Sequence, residues 1–260
     1  MNVLFEEDGA FRAGSVLADN VTSLQIELAS GKRSKVKAAN VLLRFAAPGP
    51  GELMATPPHD GRAGDDSLDL LDPIAEFQAL FARISQDAPT DPTAMTLATA
   101  DASGAPSARM VLLKGVDERG FLFYSNYESR KGRELEENPR AALCWHWAWL
   151  EMQVRAEGAI ERLSAAESDA YFLTRPRGSQ LGAWASAQSQ PLHSRFALLR
   201  KVIATESRYF GRSIPRPPHW GGYLLRPGAI EFWQGKKSRL HERRRFLLEE
   251  GVWRCDRLSP

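Results

Sequence analysis

The residues best suited to chemistry lie near the end of the chain, in EFWQGKKSRLHERRRF at positions 231–246. Six Lys and Arg side chains and a single His, His241, lie within ten consecutive residues there. The preceding Trp233 offers a flat face for a ring system. In a strand, Arg239 and His241 would alternate and point to the same side. The stretch predicts an anion site that contains a titratable group, although a solvated, charged hairpin would have the same residues.

Two further segments place cations beside apolar or helical residues. In SARMVLLKG an apolar strand runs between Arg109 and Lys114, which suits a ligand with an anionic tail and a flat apolar body. An ordinary barrel strand with extended cationic ends would look the same. In FYSNYESRKG, Arg130 and Lys131 occupy the first turn of a predicted helix, where the helix dipole disfavours cations. A bound dianion at that helix terminus explains their position.

A fourth segment, YFLTRPRGSQLGAWASAQSQ, is a predicted polar stretch between two helices. It concentrates guanidinium, hydroxyl, amide and phenol groups at Tyr171, Arg175, Arg177, Ser179, Gln188 and Ser189. Donors of this kind hold a phosphate through charge-assisted hydrogen bonds. A polar loop without a ligand has the same composition, so this segment alone leaves both interpretations open.

Short strand-like runs separated by turn residues predict the elements that position these groups. The runs are MTLATA (95–100), SARMVLLKGV (107–116), GFLFYSN (120–126), AALCWHWAW, EMQVRAEGAIERL, WGGYLLRP, AIEFWQG, HERRRFLLEE and GVWRCDRL. Helices are predicted after Asp72 and Pro73, over 129–138, after a capping box at Ser164 and over 191–210. Consecutive strands with helices at their flanks favour a closed antiparallel barrel over a parallel doubly wound sheet.

The chain is expected to contain a small β-rich segment over residues 1–45, a linker over 46–70 and one larger domain over 71–260. Pro, Gly and charged residues concentrate in AAPGPGELMATPPHDGRAGDD, which is typical of a flexible connection. Before it, short β-branched runs indicate three or four strands.

The composition excludes several classes of protein. A net charge of +2 makes any anion binding local rather than global. No apolar run approaches the roughly eighteen residues of a membrane span, and the acidic start differs from a secretory signal. With two distant Cys residues, these features indicate a cytoplasmic protein. The five His residues lack metal-binding spacing, and neither a Walker loop nor a GxGxxG motif occurs, so no metal is expected.

Eight ordered motifs resemble the pyridoxamine 5′-phosphate oxidase family: DPTAM, RMVLLKG, FYSNYESRKG, RPRGSQLGAWAS, PPHWGGY, IEFWQG, RLHER and DRLSP. The resemblance extends from about Asp72 to Pro260. It implies a mainly β fold with flanking helices, an antiparallel split β-barrel that binds flavin mononucleotide (FMN). It also implies a homodimer with FMN at the subunit interface. The implied reaction converts pyridoxamine 5′-phosphate or pyridoxine 5′-phosphate to pyridoxal 5′-phosphate, with O₂ as acceptor and hydrogen peroxide as product.

The resemblance also implies roles for individual residues. The implied flavin contacts are Arg109, Met110, Val111, Leu112, Leu113, Lys114, Tyr124, Ser125, Arg130, Lys131, Gln153, Gln188, Ser189, Trp233 and Arg243. The implied substrate contacts are Lys114, Tyr171, Arg175, Ser179, Arg239, His241 and Asp91. Two of these would be catalytic: Arg239 would stabilise charge near the reacting carbon, and His241 would orient the substrate or transfer a proton.

The N-terminal segment departs from the family pattern. Family members usually carry an Arg-x-x-Tyr segment ahead of the first helix that folds over the substrate, and residues 1–71 contain no equivalent. In its place, MNVLFEEDGAF and GKRSKVKAANVLLRF weakly resemble the N-terminus of RNase II-type bacterial ribonucleases. That resemblance includes no nuclease catalytic residue.

The sequence leaves two alternatives to the oxidase function. One is another FMN-binding split-barrel oxidoreductase or a heme-handling relative, which typically lacks RPRGSQLGAW together with RLHER. The other is an RNA-binding role for the N-terminal segment, in which Lys32, Arg33, Lys35 and Lys37 contact phosphates. That segment lacks the interleaved aromatic residues that stack on bases, so a nucleic-acid partner is not expected.

Overall fold

The computed structural model describes residues 1–7, 10–20, 22–46 and 72–260. The chain divides into two compact units, Met1–Asp66 and Ser67–Pro260. The predicted linker lies outside the described residues except for Ala46, so the predicted domain boundaries stay predictions. Among the described helices, none is both long and apolar enough to cross a membrane. Within the same residues, no cluster of three or more His, Cys, Asp or Glu side chains could hold a metal ion.

In the first unit, the described strands form a five-stranded antiparallel sheet in the order β4-β3-β2-β1-β5. They are β1 (Asn2–Glu7), β2 (Ala10–Asn20), β3 (Ser23–Leu28), β4 (Arg33–Lys37) and β5 (Val41–Phe45). Alternate residues of these strands form a small core that includes Phe5, Ile26 and Val36. The opposite face of β4 exposes Lys35 and Lys37. The RNA-binding alternative, which was not expected from the sequence, is not tested by this structure.

In the described part of the second unit, nine strands form one curled antiparallel sheet. They are β6 (Ala94–Ala100), β7 (Pro106–Leu112), β8 (Gly115–Asp117), β9 (Gly120–Asn126), β10 (Arg140–Trp147), β11 (Met152–Arg162), β12 (Trp220–Gln234), β13 (Glu242–Glu249) and β14 (Val252–Arg257). The order is β14-β13-β12-β11-β10-β6-β7, and β9 pairs with both β8 and the first half of β12. The predicted antiparallel sheet is confirmed.

Helices flank this sheet, and in three of them a side-chain cap lies at the predicted start. The helices are α1 (Pro73–Gln86), α2 (Arg130–Glu137), α3 (Ala165–Thr174), α4 (Arg177–Ala185) and α5 (Arg195–Arg208). Asp72 accepts from the backbone N–H of Ile74 (2.9 Å), and Ser129 caps α2. Ser164 and Glu167 form a complete capping box. The three predicted starts are therefore confirmed.

The core of the second unit lies between α1 and the concave face of the sheet. Phe77 of α1 is fully buried, with its ring centroid 4.9 Å from Phe121 and 4.8 Å from Trp145. Tilted and edge-on ring pairs of this kind add stabilisation beyond the burial of apolar area. The core therefore fixes α1 against strands β9 and β10.

The strand predicted over 107–116 is interrupted. The backbone N–H of Leu113 still donates to the carbonyl of Thr93 (2.9 Å), which continues the β6 pairing. The next N–H, that of Lys114, donates instead to Leu122 on β9 (2.8 Å). The chain therefore changes partner strands at this point, and the prediction of a single strand was wrong.

The segments WGGYLLRP and AIEFWQG form the single strand β12 rather than two strands. The interruption expected at Pro227 is absorbed by a bulge, because Gly158 pairs with Pro227 and Glu157 pairs with Ala229. Gly228 is thus the extra residue, and a bulge is one of the few interior positions in a sheet that tolerate proline.

Two helix predictions also need correction. The helix predicted over 191–210 begins only at 195, where the Ser194 hydroxyl accepts from the N–H of Phe196. The segment before it, predicted as a polar stretch, contains α4. Gly178 and Gly182 lie inside α4, and glycine lowers helix propensity, so the local sequence obscured this helix.

A Gly158→Ala substitution should destabilise the protein, because the added Cβ would lie 1.9 Å from the backbone oxygen of Arg226. We expect the free energy of unfolding, measured in urea, to fall by about 1–3 kcal/mol. Gly228→Ala is the matched control, since a Cβ there meets nothing within 4 Å. Equal stabilities of the two variants would contradict the close approach at Gly158.

Candidate active site

A cavity of about 990 Å³ lies where the ends of β7 and β9 meet the start of α2 and the segment from α3 to α4. This volume is at the upper end of the range for small-molecule sites, which is about 300–1,000 Å³. Many of the predicted site residues line it: Arg109, Met110, Val111, Leu112, Lys114, Tyr124, Ser125, Arg130, Lys131, Tyr171, Arg175, Ser179, Gln188 and Ser189. The fold therefore brings three separate predicted segments together around one space.

Lys131, at the start of α2, is a buried cation on the cavity wall. Lys131 is only 7% exposed. Its Nζ donates to Ser125 Oγ (3.1 Å), Ser129 Oγ (3.3 Å) and Gln188 Oε1 (3.4 Å), all of which are neutral acceptors. Burial, followed by the charge of Arg109, lowers the pKa of Lys131 to about 8. A ligand anion at this position would restore the favourable environment that burial removes.

Glu134, one turn further along α2, was not among the predicted site residues. Its carboxylate accepts from Arg130 Nε (2.8 Å), Arg109 Nη2 (3.1 Å) and Ser107 Oγ (2.6 Å), and also from the Thr99 hydroxyl. Burial raises the pKa of Glu134, but these hydrogen bonds outweigh burial and lower it to about 2. The i,i+4 spacing of Arg130 and Glu134 was the available sequence signal.

The charges on this wall do not balance. Arg109, Arg130 and Lys131 contribute three positive charges and Glu134 one negative charge, which leaves an excess of two positive charges. The wall also includes the N-terminal turn of α2, whose dipole favours negative charge. The cluster therefore suits a phosphate dianion.

A second group of donors on the cavity is held by stacked aromatic rings. Tyr124 and Tyr171 stack with centroids 3.8 Å apart, and Tyr124 stacks on Trp220 at 5.4 Å. The Arg175 guanidinium lies 4.4 Å from the centroid of the Trp220 ring. Its Nη1 is buried without a hydrogen-bond partner among the described residues, and burial lowers the pKa of Arg175. An unpaired guanidinium N–H on a cavity wall is a place for an anionic ligand.

Arg177 is not one of the donors on the cavity wall. It donates to the Glu206 carboxylate (2.9 Å and 3.1 Å) and to the carbonyls of Tyr209 and Arg212 (both 3.0 Å). These contacts connect α4 to the end of α5. The prediction that Arg177 belongs with the phosphate-binding donors was wrong.

Other predicted residues form a separate group outside the lining of the cavity. Gln153, Trp233 and Arg243 are direct neighbours across β11, β12 and β13. The His241 ring lies 4.5 Å from the Trp233 ring. Arg243 Nε donates to the buried carboxylate of Glu231 (2.9 Å). We call Gln153, Trp233, Arg239, His241 and Arg243 the C-terminal group.

Arg239 and His241 do not alternate on a strand as predicted. Arg239 lies in the short 3-10 turn Lys237–Arg239, and β13 begins only at Glu242. Ser238 (φ 59°) and Arg239 (φ 61°) adopt left-handed backbone conformations, which differ from the extended conformation of a strand. His241 Nδ1 accepts from the backbone N–H of Lys236 (3.2 Å), so a neutral His241 carries its proton on Nε2.

Two predicted contacts lie elsewhere in the fold. Asp91 is exposed, and its carboxylate accepts from the N–H (2.9 Å) and hydroxyl (2.6 Å) of Thr93. These hydrogen bonds, with a smaller contribution from Lys114, lower the pKa of Asp91. Leu113 is 3% exposed, and its side chain belongs to the core rather than to the cavity wall.

Comparison with known proteins identifies the family. Residues 84–209 match the family described as pyridoxamine 5′-phosphate oxidase, and residues 220–260 match a pyridoxine 5′-phosphate oxidase C-terminal dimerisation region. A pyridoxine/pyridoxamine 5′-phosphate oxidase of Rubrobacter xylanophilus is 57% identical over 201 residues, which are 76% of this chain and 92% of the relative. The chain belongs to the pyridoxamine 5′-phosphate oxidase family. A family member from Cupriavidus necator is 56% identical over 190 residues, 73% of this chain and 89% of its own.

Solved structures show the same fold. PhzG of Burkholderia lata, in complex with tetrahydrophenazine-1-carboxylic acid, superposes with a TM-score of 0.70 at 30% identity, over 76% of this chain and 98% of that chain. An FMN-binding protein of Nostoc punctiforme related to pyridoxamine 5′-phosphate oxidase has a TM-score of 0.59 at 17% identity, over 73% and 99% of the two chains. The predicted family and the predicted split-barrel fold are confirmed.

The lowered pKa of Lys131 predicts a particular pH dependence of stability in the ligand-free protein. Between about pH 8 and pH 10.5 the unfolded chain holds a proton on this lysine that the folded chain has lost. The free energy of unfolding should therefore rise with pH across this window, by on the order of 1–3 kcal/mol. Urea unfolding at stepped pH measures it, and Lys131→Met should lack this rise. Parallel pH profiles of the two proteins would contradict the assignment.

Proposed function

We propose that this protein oxidises pyridoxamine 5′-phosphate or pyridoxine 5′-phosphate to pyridoxal 5′-phosphate, using FMN as cofactor and O₂ as acceptor, with release of hydrogen peroxide. The observation that carries the proposal is the donor set of the 990 Å³ cavity. One group of donors has an excess of two positive charges, and the other ends in the unpaired Nη1 of Arg175. Two phosphorylated flat-ring ligands fit such a site, and close relatives carry this activity in their names.

The residues around α2 fit the FMN phosphate. Within the described part of the chain, Lys131 Nζ donates its hydrogen bonds to neutral acceptors, and Arg130 lines the cavity beside it. Ser125 and Gln188 complete this position through their contacts with Lys131. When held by these residues, FMN would supply the redox chemistry, as the acceptor of a hydride from the substrate C4′ carbon and the electron donor to O₂. The apolar β7 residues Met110 to Leu112 would lie against its ring system.

The residues around α3 and α4 fit the substrate phosphate. Arg175, Tyr171 and Ser179 line the cavity together with Lys114, and all four offer hydrogen-bond donors. The stacked rings of Tyr124, Tyr171 and Trp220 restrict where the Arg175 guanidinium can lie. A fixed donor set of this kind orients the substrate ring relative to the cofactor.

The C-terminal group cannot easily join the same cavity within one subunit. Trp220 lines the cavity at one end of β12, and Trp233 belongs to the C-terminal group at the other end. They are thirteen positions apart (233 − 220), and at about 3.3 Å per residue this separates them by roughly 40 Å along the strand. The matched C-terminal region is described as a dimerisation region. We therefore propose a homodimer in which the C-terminal group of each copy completes the cavity of the other.

In that complete site the C-terminal group would act on the substrate ring. Arg239 would place a positive charge near the carbon that loses the hydride. His241 has its Nδ1 occupied by the Lys236 N–H, so Nε2 is the atom that can donate to the substrate or transfer a proton. Trp233 and Arg243, with Gln153, would contact the flavin. Asp91 would approach the substrate from the turn before β6.

The activity itself is the first test. The purified full chain should bind FMN, shown by its visible absorbance, and should form pyridoxal 5′-phosphate and peroxide in equal amounts from either substrate in aerobic buffer. Arg175→Met should raise KM for these phosphorylated substrates by about tenfold or more, because a charge-assisted contact is lost. Arg177→Met removes the same charge two residues away and should leave KM unchanged. A protein that binds no flavin, or forms no aldehyde, would refute the proposed function.

Mixing two variants of low activity tests the shared site, with the substrate kept well below the raised KM of Arg175→Met. Arg175→Met damages the cavity group, and His241→Ala damages the C-terminal group. In a mixed dimer one site would contain both substitutions and the other would be intact, so random mixing should restore about a quarter of wild-type activity. Each variant alone, taken through the same unfolding and refolding, is the control. If the mixture stays as inactive as its components, each site is built from a single copy.

A further inference from the structure

Glu134 lies behind the cations of the α2 wall and is itself 5% exposed. It contacts two of the three cations directly. The Arg109 side chain is 20% exposed and the Arg130 side chain is 60% exposed, so the carboxylate joins one partly buried guanidinium to one that is largely exposed, and both residues line the cavity. A buried carboxylate in contact with ligand-binding cations, but not on the cavity lining, acts through those cations.

The two carboxylate oxygens have different partners. Oε2 accepts from Arg109 Nη2 and from the hydroxyls of Ser107 and Thr99. Arg109 also donates to both of these hydroxyls, which fixes its guanidinium in a closed network. Oε1 accepts only from Arg130 Nε among the described residues. This contact holds the guanidinium of Arg130 by one edge and leaves its two terminal nitrogens available to a ligand.

We propose that Glu134 is a positioning residue that fixes Arg109 and Arg130 in their phosphate-binding arrangement before the phosphate arrives. The proposal rests on the proposed function, since the phosphate is that of FMN. Long cationic side chains lose conformational entropy when a ligand orders them, and that loss weakens binding. The Glu134 carboxylate orders them during folding instead. It also offsets the mutual repulsion of Arg109, Arg130 and Lys131 in the ligand-free protein.

Simple charge attraction makes the opposite prediction. A carboxylate near the FMN phosphate repels it, so its removal would tighten binding if charge alone mattered. Removal would weaken binding if the geometry of the two guanidinium groups matters more. The sign of the change therefore distinguishes a positioning residue from a residue that merely neutralises charge.

The test compares FMN with riboflavin, which has the same ring system without the phosphate. Both are titrated into the full-chain apoprotein, and binding is measured from the quenching of flavin fluorescence. Glu134→Gln should weaken FMN binding by about 10- to 100-fold, the expected effect of losing hydrogen bonds between charged groups. Riboflavin binding should be unchanged. An unchanged or increased preference for FMN over riboflavin in this variant would overturn the inference.

Glu137→Gln is the matched control. Glu137 lies on the same helix and loses the same charge, but it is exposed, and its recorded contact is with the backbone N–H of Ala102 (3.4 Å). It should keep the wild-type preference for FMN. If Glu137→Gln reduced the preference as much as Glu134→Gln, the effect would be one of long-range charge, and the positioning role would be refuted.

Glu134→Asp serves if Glu134→Gln does not fold. Aspartate keeps the negative charge beside Arg109 but is one methylene shorter, so it cannot reach both guanidinium groups at their present positions. FMN binding should again weaken relative to riboflavin, and wild-type preference in this variant would overturn the inference. A wild-type protein that binds neither flavin would refute the proposed function and this inference together. If the wild type and the Glu134 variants prefer FMN over riboflavin to the same extent, only the role of Glu134 is refuted.

Discussion

The pairing of β12 with β11 is the constraint on which the rest of the second unit depends. β11 pairs with β12 from Met152 to Arg162, while β9 and β13 occupy the other edge of β12 at opposite ends. Because one strand forms part of both regions, the wall around Trp220 and the C-terminal group around Trp233 are fixed relative to each other. The same pairing keeps them apart within a subunit. The shared site that we propose therefore rests on the length of a single strand.

Within the cavity, electrostatics explains why the cations tolerate each other. Glu134 neutralises part of the charge, and hydroxyl and amide oxygens satisfy the hydrogen bonds of Lys131. Neither arrangement removes the remaining excess of positive charge. Burial, followed by the charge of Arg109, lowers the pKa of Lys131 to about 8, and an anion beside it would relieve this unfavourable environment. Nη1 of Arg175, which has no hydrogen-bond partner in the described part of the chain, is a second position where an anion would improve the environment of a cation. A ligand with anionic groups would therefore complete this wall.

Local sequence signals predicted the elements that local physics determines. The caps at Asp72, Ser129 and Ser164 act within a few residues, and they fixed the starts of helices correctly. The features that sequence missed depend on distant partners. Glu134 contacts Ser107 and Arg109 on β7 as well as Arg130 on its own helix, and Trp220 contacts Arg175, so most of these partners are distant in sequence. The turn at Arg239 requires positive φ at residues other than glycine, which no propensity indicates. The resemblance to a family supplied residue roles that spacing alone could not.

The bulge at Gly228 determines which residues of β12 face the barrel core and which face outward. Before it, the odd-numbered residues Tyr223 and Leu225 face the barrel core, whereas after it the even-numbered residues Ile230 and Phe232 do so. Trp220 and Trp233 are separated by an odd number of positions and would face opposite sides of an unbroken strand. The extra residue returns both to the outer side. Insertions or deletions in this part of the strand could therefore be accepted only in pairs, because any single one would turn one of the two tryptophans inward.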